Sequence, residues 1–211
     1  MEAITKGNTS RRTFCKAAVV GAAFAATWGN AAGAFAETAA SGKALLSLLA
    51  QRRSVRSFTD APVSDEEVQA MLAAAMSAPS AGNEQPWEFI VVRSKETLEK
   101  AGSVNPYAGF AKSAPLAILT CVNQAHEKHA GYGVLDVAAC TENLLLAAHA
   151  LGLGAVWTGI YPMEDRILKF RSLLALPETV LPIAFVVIGH PKATPEPANR
   201  FNPQRIHAEK W

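Results

Sequence analysis

The chain has 211 residues, half of them apolar, with 20 basic and 18 acidic side chains for a formal net charge of +2. That length suits a single domain able to bury a core without disulfide or metal staples, and the composition excludes disorder and low-complexity repeats. A charge this small does not announce a nucleic-acid partner.

Residues 10–16 read Ser-Arg-Arg-Thr-Phe-Cys-Lys, an uncharged run extends from Ala17 to Thr27, and the segment closes on Ala34-Phe35-Ala36. A basic region, a short apolar stretch and an A-x-A site have the form of a secretory signal. The pair Arg11-Arg12, with Phe14 two places on, makes it resemble a twin-arginine signal. The competing reading, a basic start followed by an amphipathic core helix, lacks a polar face in the apolar run. The run is also too short and too alanine-rich for a permanent membrane anchor. The expectation is therefore a twin-arginine signal peptide over residues 1–36, export to the periplasm by the twin-arginine machinery, and a working domain over residues 37–211. The signal carries a net +3, which leaves 175 residues at −1, so the overall basicity belongs to the leader. Cys15 lies in the leader. Cys121 ends the strand-like run LAILTC and Cys140 sits in an alanine-rich stretch, so both are expected as buried free thiols. No C-x-x-C redox motif occurs.

In the working domain, residues 43–51 (KALLSLLAQ) have helical spacing at Leu45, Leu48 and Leu49. A short extended piece from Val55 to Phe58 leads to the Ala61-Pro62 turn. Ser64 with Glu67 predicts a capping box opening a helix whose stripe is Val68, Met71, Leu72, Ala75 and Met76, ended by Pro79. The loop APSAGNEQP and the strand WEFIVV follow. Residues 95–101 read as a helix, 116–122 as a buried strand, and 132–151 as a long helix apolar enough to be buried on more than one side. A short strand AVWT, a helix over 163–171 and a strand from Ile183 to Ile188 complete an α+β domain with a small sheet and packed helices. From Gly189 to Trp211 the chain holds four of its twelve prolines, with Phe201, Ile206 and Trp211 five apart. Such an arm gains stability only by lying along another surface, and a partner subunit is a natural one.

Two segments carry the chemistry. Arg52-Arg53-Ser54-Val55-Arg56 follows a helix, and an extended backbone would put Arg52, Ser54 and Arg56 on one face, where guanidinium forks suit phosphate oxygens. A solvated basic face favoured by the helix dipole explains the same residues. The loop from Pro79 through Ser80, Asn83 and Gln85 to Trp87 allows close backbone approach to a flat ligand, with two amides to read a heterocycle's edge. Alone, it reads as an ordinary helix-to-strand connection, with Trp87 starting the strand. His126 and His129 are three apart and lack a clear third metal ligand. Gly152-x-Gly154 runs in the wrong order for a dinucleotide fingerprint, and neither G-x-S-x-G nor a Walker loop occurs. His149 and His190 read as core or turn residues.

Together, RRSVRSF, the amphipathic helix, APSAGNEQPWEFIVV, DVAACTENLLLAAHALGLGAVWTG and PIAFVVIGHP with Arg200 downstream resemble the FMN-dependent nitroreductase family over nearly all of residues 44–211. The resemblance implies an α+β sandwich with a small mixed sheet flanked by helices. It also implies a homodimer exchanging the C-terminal arm, with two FMN sites at its interface. Arg52, Ser54 and Arg56 would face the phosphate and ribityl chain, and Arg200 would close on the phosphate. Asn83 would meet the pyrimidine or ribityl side, with Pro79 and Ser80 near the ring and Gln85 beside them. The backbone of Thr158, Gly159 and Ile160 would lie by the ring and offer an N–H. The activity implied is ping-pong reduction of small electrophiles such as nitroaromatics or quinones by NADH, NADPH or another donor, with no side chain acting as acid or nucleophile. An exported FMN relay without NAD(P)H, and oxygen-dependent or dehalogenating chemistry, are the alternatives.

Overall fold

A computed structural model describes residues 41–211. The expected signal over residues 1–36 lies outside the described residues. Residues 47–211 form one compact unit, and the description below concerns that unit.

Helix α1 (Ser41–Gln51) leads into an irregular stretch joined to the rest by two isolated bridges, Ser54 to Ala155 and Phe58 to Pro191. Helix α2 (Asp65–Met76) starts at the predicted capping box: Ser64 accepts from the Glu67 N–H at 3.1 Å, and the Glu67 carboxylate accepts from the Ser64 N–H at 2.8 Å. Strand β1 (Trp87–Val92), helix α3 (Lys95–Val104), strand β2 (Leu116–Asn123) and the long helix α4 (Gly133–Ala150) follow. Strand β3 (Gly154–Gly159), helix α5 (Glu164–Leu174) and strand β4 (Val180–Gly189) end the regular structure. The predicted elements all occur. The main extensions are three residues at the C-terminal ends of α3 and α5 and three at the start of β4.

The sheet order is β1-β2-β4-β3, and each neighbouring pair is antiparallel. This corrects the expectation of a mixed sheet: among the described residues the parallel pairing is confined to the Ser54–Ala155 bridge. The cause is visible in the connection from β1 to β2. There α3 packs against the 3₁₀ turn Gly109–Ser113, so the chain returns to the end of the sheet it left and re-enters in the opposite sense.

Every residue of β2 from Leu116 to Val122 is buried, because helices cover both faces of the sheet. On one face Ala117, Leu119, Phe185 and Val187 pack with Leu98 of α3, Phe170 of α5, and Val55 and Phe58. On the other, Ile118, Val186 and Ile188 pack with Met71 of α2 and with Cys140 and Leu144 of α4. The alternation along β2 sends successive side chains to opposite layers. Helix α4 is buried on two sides, against α2 and against the sheet, while Leu135 remains 64% exposed.

Cys121 and Cys140 are free and buried, as expected, and burial pushes both thiols up to about 12. With the thiolate so disfavoured, neither should react with Ellman's reagent in the native protein at pH 8, and both should react once it is denatured. Rapid native labelling of either would contradict this packing. A second prediction comes from Gly154, where a Cβ would lie 2.7 Å from the Val55 side chain. Gly154→Ala should cost about 1–3 kcal/mol of stability in urea denaturation, because Val55 is itself wedged into the core.

Candidate functional site

The arginine segment is held against the edge strand β3. Val55 donates its N–H to the Ala155 carbonyl at 3.0 Å, and Val55 and Phe58 are both buried. Those two core residues are three apart, so the segment does not keep the two-residue alternation of a flat strand. The alternation expected for Arg52, Ser54 and Arg56 thus runs no further than Arg56, ahead of buried Phe58. Arg52 lines a cleft, whereas Ser54 and Arg56 line neither that cleft nor the small pocket beside it.

The cleft has a volume of about 550 Å³ and lies between the end of α1 and the chain from Pro197 to Phe201. Arg52, Arg53 and Arg200 line it, and no carboxylate does. The structure thus joins two residues 148 positions apart that the sequence assigned to one phosphate. Arg52 is aimed by an ion pair, its Nε 3.1 Å from Glu142 Oε1 on α4, with the arginine side chain 19% exposed. Its neighbour Arg53, left out of the expected site, donates from Nε to the Glu196 carbonyl at 3.1 Å and from Nη2 to the Ala198 carbonyl at 3.2 Å. The adjoining pocket is lined by Arg52, Arg53 and His149. Burial first, and then the charges of Arg52 and Arg53, hold the His149 imidazole below its ordinary value.

The second group is the loop after α2, which forms a 3₁₀ turn at Ala81–Asn83. Gly82, Asn83 and Gln85 all have positive φ, at 56°, 56° and 52°. Glycine and asparagine tolerate that region, but glutamine is strained there, and such strain persists only where surrounding contacts enforce it. The contacts are present. Ser80 Oγ accepts from the Gln85 N–H at 3.0 Å, and Asn83 Oδ1 accepts from Gln85 Nε2 at 3.3 Å. Asp136 Oδ1 of α4 accepts from the Ala81 N–H at 3.0 Å, and Glu84 Oε2 accepts from the Lys128 N–H at 2.8 Å. Glu84 and Asp136 were not foreseen, and each leaves one buried carboxylate oxygen without a hydrogen-bond partner. Pro79 is exposed at the base of this loop, and Asn83 and Gln85 are exposed at its tip.

The third group is the end of β3. The Thr158 hydroxyl donates to the Phe185 carbonyl at 2.6 Å, so it serves the sheet. The N–H groups of Ile160 and Tyr161 both donate to the Ile183 carbonyl at 3.1 Å, so within the expected backbone of Thr158, Gly159 and Ile160 the N–H of Ile160 already has a partner. The Gly159 carbonyl is fixed by two donors, Arg166 Nη1 at 2.8 Å and Asn105 Nδ2 at 3.3 Å. Neither donor carried a sequence signal, because each depends on a contact between distant elements. His126 ends a short 3₁₀ turn, while His129 stands 3.7 Å from Glu84 Oε1. Among the described residues no three His, Cys, Asp or Glu side chains converge as a metal site. His190 faces the Pro62 carbonyl at 3.1 Å, as a turn residue. Among the described residues no helix is long and apolar enough to cross a membrane.

A helix-flanked antiparallel sheet defines an α+β protein, and Arg52, Arg53 and Arg200 line one of its clefts. The nitroreductase family profile matches residues 49–107 and 101–190. A protein of Methanothermobacter thermautotrophicus assigned as an NADH dehydrogenase/NAD(P)H nitroreductase is 47% identical over 167 residues, covering 79% of this chain and 87% of that one. A crystal structure from Parabacteroides distasonis with the same assignment superposes with a TM-score of 0.76 at 38% identity, covering 79% of this chain and 98% of the other. A structure from Desulfovibrio desulfuricans, assigned as a nitroreductase and solved in complex with FMN, gives a TM-score of 0.69 at 31% identity, covering 79% and 96%. The chain belongs to the nitroreductase family.

The lowered His149 makes a pH prediction. Its neutral form is the one favoured by folding, so this contribution to stability is complete above its ordinary value near 6.5 and declines as pH falls through the lower folded value. A His149→Gln variant should lose less stability than the wild type between pH 6.5 and 5 in urea titrations. Equal losses would show that His149 is not held neutral.

Proposed function

We propose that this chain, an FMN-dependent oxidoreductase, passes electrons from NAD(P)H or another donor through its flavin to nitroaromatics or quinones in two separate half-reactions. The observation that carries the reading is the cleft shared by Arg52, Arg53 and Arg200 with no carboxylate in its lining. Guanidinium groups match phosphate oxygens in geometry as well as charge, and three of them outnumber the single carboxylate of Glu142 paired with Arg52. FMN supplies the redox chemistry when bound, so the protein's task is to hold, orient and electrostatically support it. Arg52 and Arg200 bind the phosphate. The strained 80–85 loop, braced by Asp136 and Glu84, presents the Asn83 and Gln85 amides to the heterocycle, with Pro79 and Ser80 at its base. Gly159, its carbonyl anchored by Arg166 and Asn105, gives the end of β3 a fixed position by the ring.

The working unit is a homodimer in this reading. Support comes from the arm, where Phe201 is 74% exposed and Trp211 fully exposed in the single chain. Large apolar side chains in that state gain free energy by being covered, and a second copy offers the matching surface. Residues 1–36 serve export to the periplasm by the twin-arginine route, a reading supported by Arg11-Arg12 and the A-x-A site. The same segment favours a second reading, an exported FMN relay without its own nicotinamide step, because soluble nicotinamides belong to the cytoplasm.

Purified protein should be yellow, and Arg52→Ala or Arg200→Ala should each weaken FMN binding by about tenfold or more. A colourless preparation that takes up no added FMN would sink the flavin site. Anaerobic mixing with NADH or NADPH followed by a quinone separates the two readings. Bleaching and reoxidation support the reductase, whereas bleaching by dithionite alone supports the relay. Arg11→Lys with Arg12→Lys should leave uncleaved precursor inside the cell, and normal processing of that variant would refute the export route.

A further inference from the structure

We infer that Arg53 is a positioning residue that ties residues 196–198 of the C-terminal arm to the end of α1, and so places Arg200 opposite Arg52 to favour a phosphorylated flavin over its dephosphorylated form. The inference rests on the FMN reading above and adds a residue and a selectivity to it.

Each of the three guanidinium nitrogens of Arg53 already donates to a main-chain carbonyl: Nε to Glu196 at 3.1 Å, Nη2 to Ala198 at 3.2 Å and Nη1 to Arg52 at 2.5 Å. The bonds to Glu196 and Ala198 connect positions more than 140 residues apart, and Arg200 lies two residues beyond Ala198. The arm between Lys192 and Asn202 forms no helix or strand and carries Pro195 and Pro197, which lack an N–H, so it has little means of holding itself. A planar fork reaching two carbonyls at once is what arginine does and lysine does not. Arg53 thereby aims a second cation at the cleft that Arg52 enters from the other side. Removing the tether leaves Arg200 chemically intact but free to move away, and the cost falls on the ligand's phosphate rather than on its ring.

The test uses the full chain with Arg53→Met, which keeps an apolar stem and removes all three donors, together with Arg200→Ala and the double variant. Apoprotein is titrated with FMN and with riboflavin, and the rate of trypsin cleavage after Arg200 and Arg205 is measured without flavin. Arg53→Met should weaken FMN binding by about tenfold, leave riboflavin binding unchanged, and speed cleavage of the arm. In the Arg200→Ala background Arg53→Met should cause no further loss, because the two act through one contact. Arg53→Lys should recover only part of the FMN affinity. Unchanged FMN binding in Arg53→Met, equal losses for both flavins, or additive losses in the double variant would each overturn the inference. So would weakened FMN binding with an unaltered cleavage rate, which would mean that Arg53 touches the phosphate directly. A wild-type protein that binds neither flavin refutes the FMN reading instead, and the cleavage rates then judge the tether alone.

Discussion

Val55 sits where the edge strand β3, the core and the arginine segment meet. Its side chain fills the volume beside Gly154, its N–H bonds to Ala155, and the chain on either side of it carries the cations. An edge strand has unpaired backbone groups, and covering them with Ser54 and Val55 satisfies part of that need. The same pairing fixes where Arg52 and Arg53 emerge. The position of the arginine cleft is thus inherited from the core, and a change at Gly154 or Val55 acts on both.

Helix α4 performs a similar double duty. Its buried stripe packs on the sheet and on α2, while polar residues along its length contact the loop and the arginines. Asp136 near its start braces the 80–85 loop, Glu142 in its middle aims Arg52, and His149 near its end lines the pocket beside the arginines. One rigid element carrying three such contacts keeps the separate groups in a constant relation, which catalytic sites require more than any single strong bond.

The regular structure was legible because local rules decide it. Ser64 and Glu67 fixed the start of α2, and the unbroken run WEFIVV fixed β1 to the residue. The sense of strand pairing was not legible, since it depends on how α3 and the Gly109–Ser113 turn fold back on each other. Arg52 and Arg200 were found through their residue types in a recognisable pattern, but their meeting is a tertiary fact. Arg53 was missed because alternation along a strand would turn it away from Arg52, and its bonds to the Glu196 and Ala198 carbonyls depend on a contact with the distant arm. Glu84, Asp136, Asn105 and Arg166 were missed for a related reason: a braced loop and an anchored carbonyl leave no trace in spacing.

The two thiols at Cys121 and Cys140 carry a consequence for the life of the chain. Both are sealed in the core, on opposite faces of the sheet, and both are held in the unreactive protonated form. Neither thiol therefore records the redox surroundings of the folded domain. Among the described residues no disulfide has to form, and neither of these two sulfurs is open to mispairing with a neighbour.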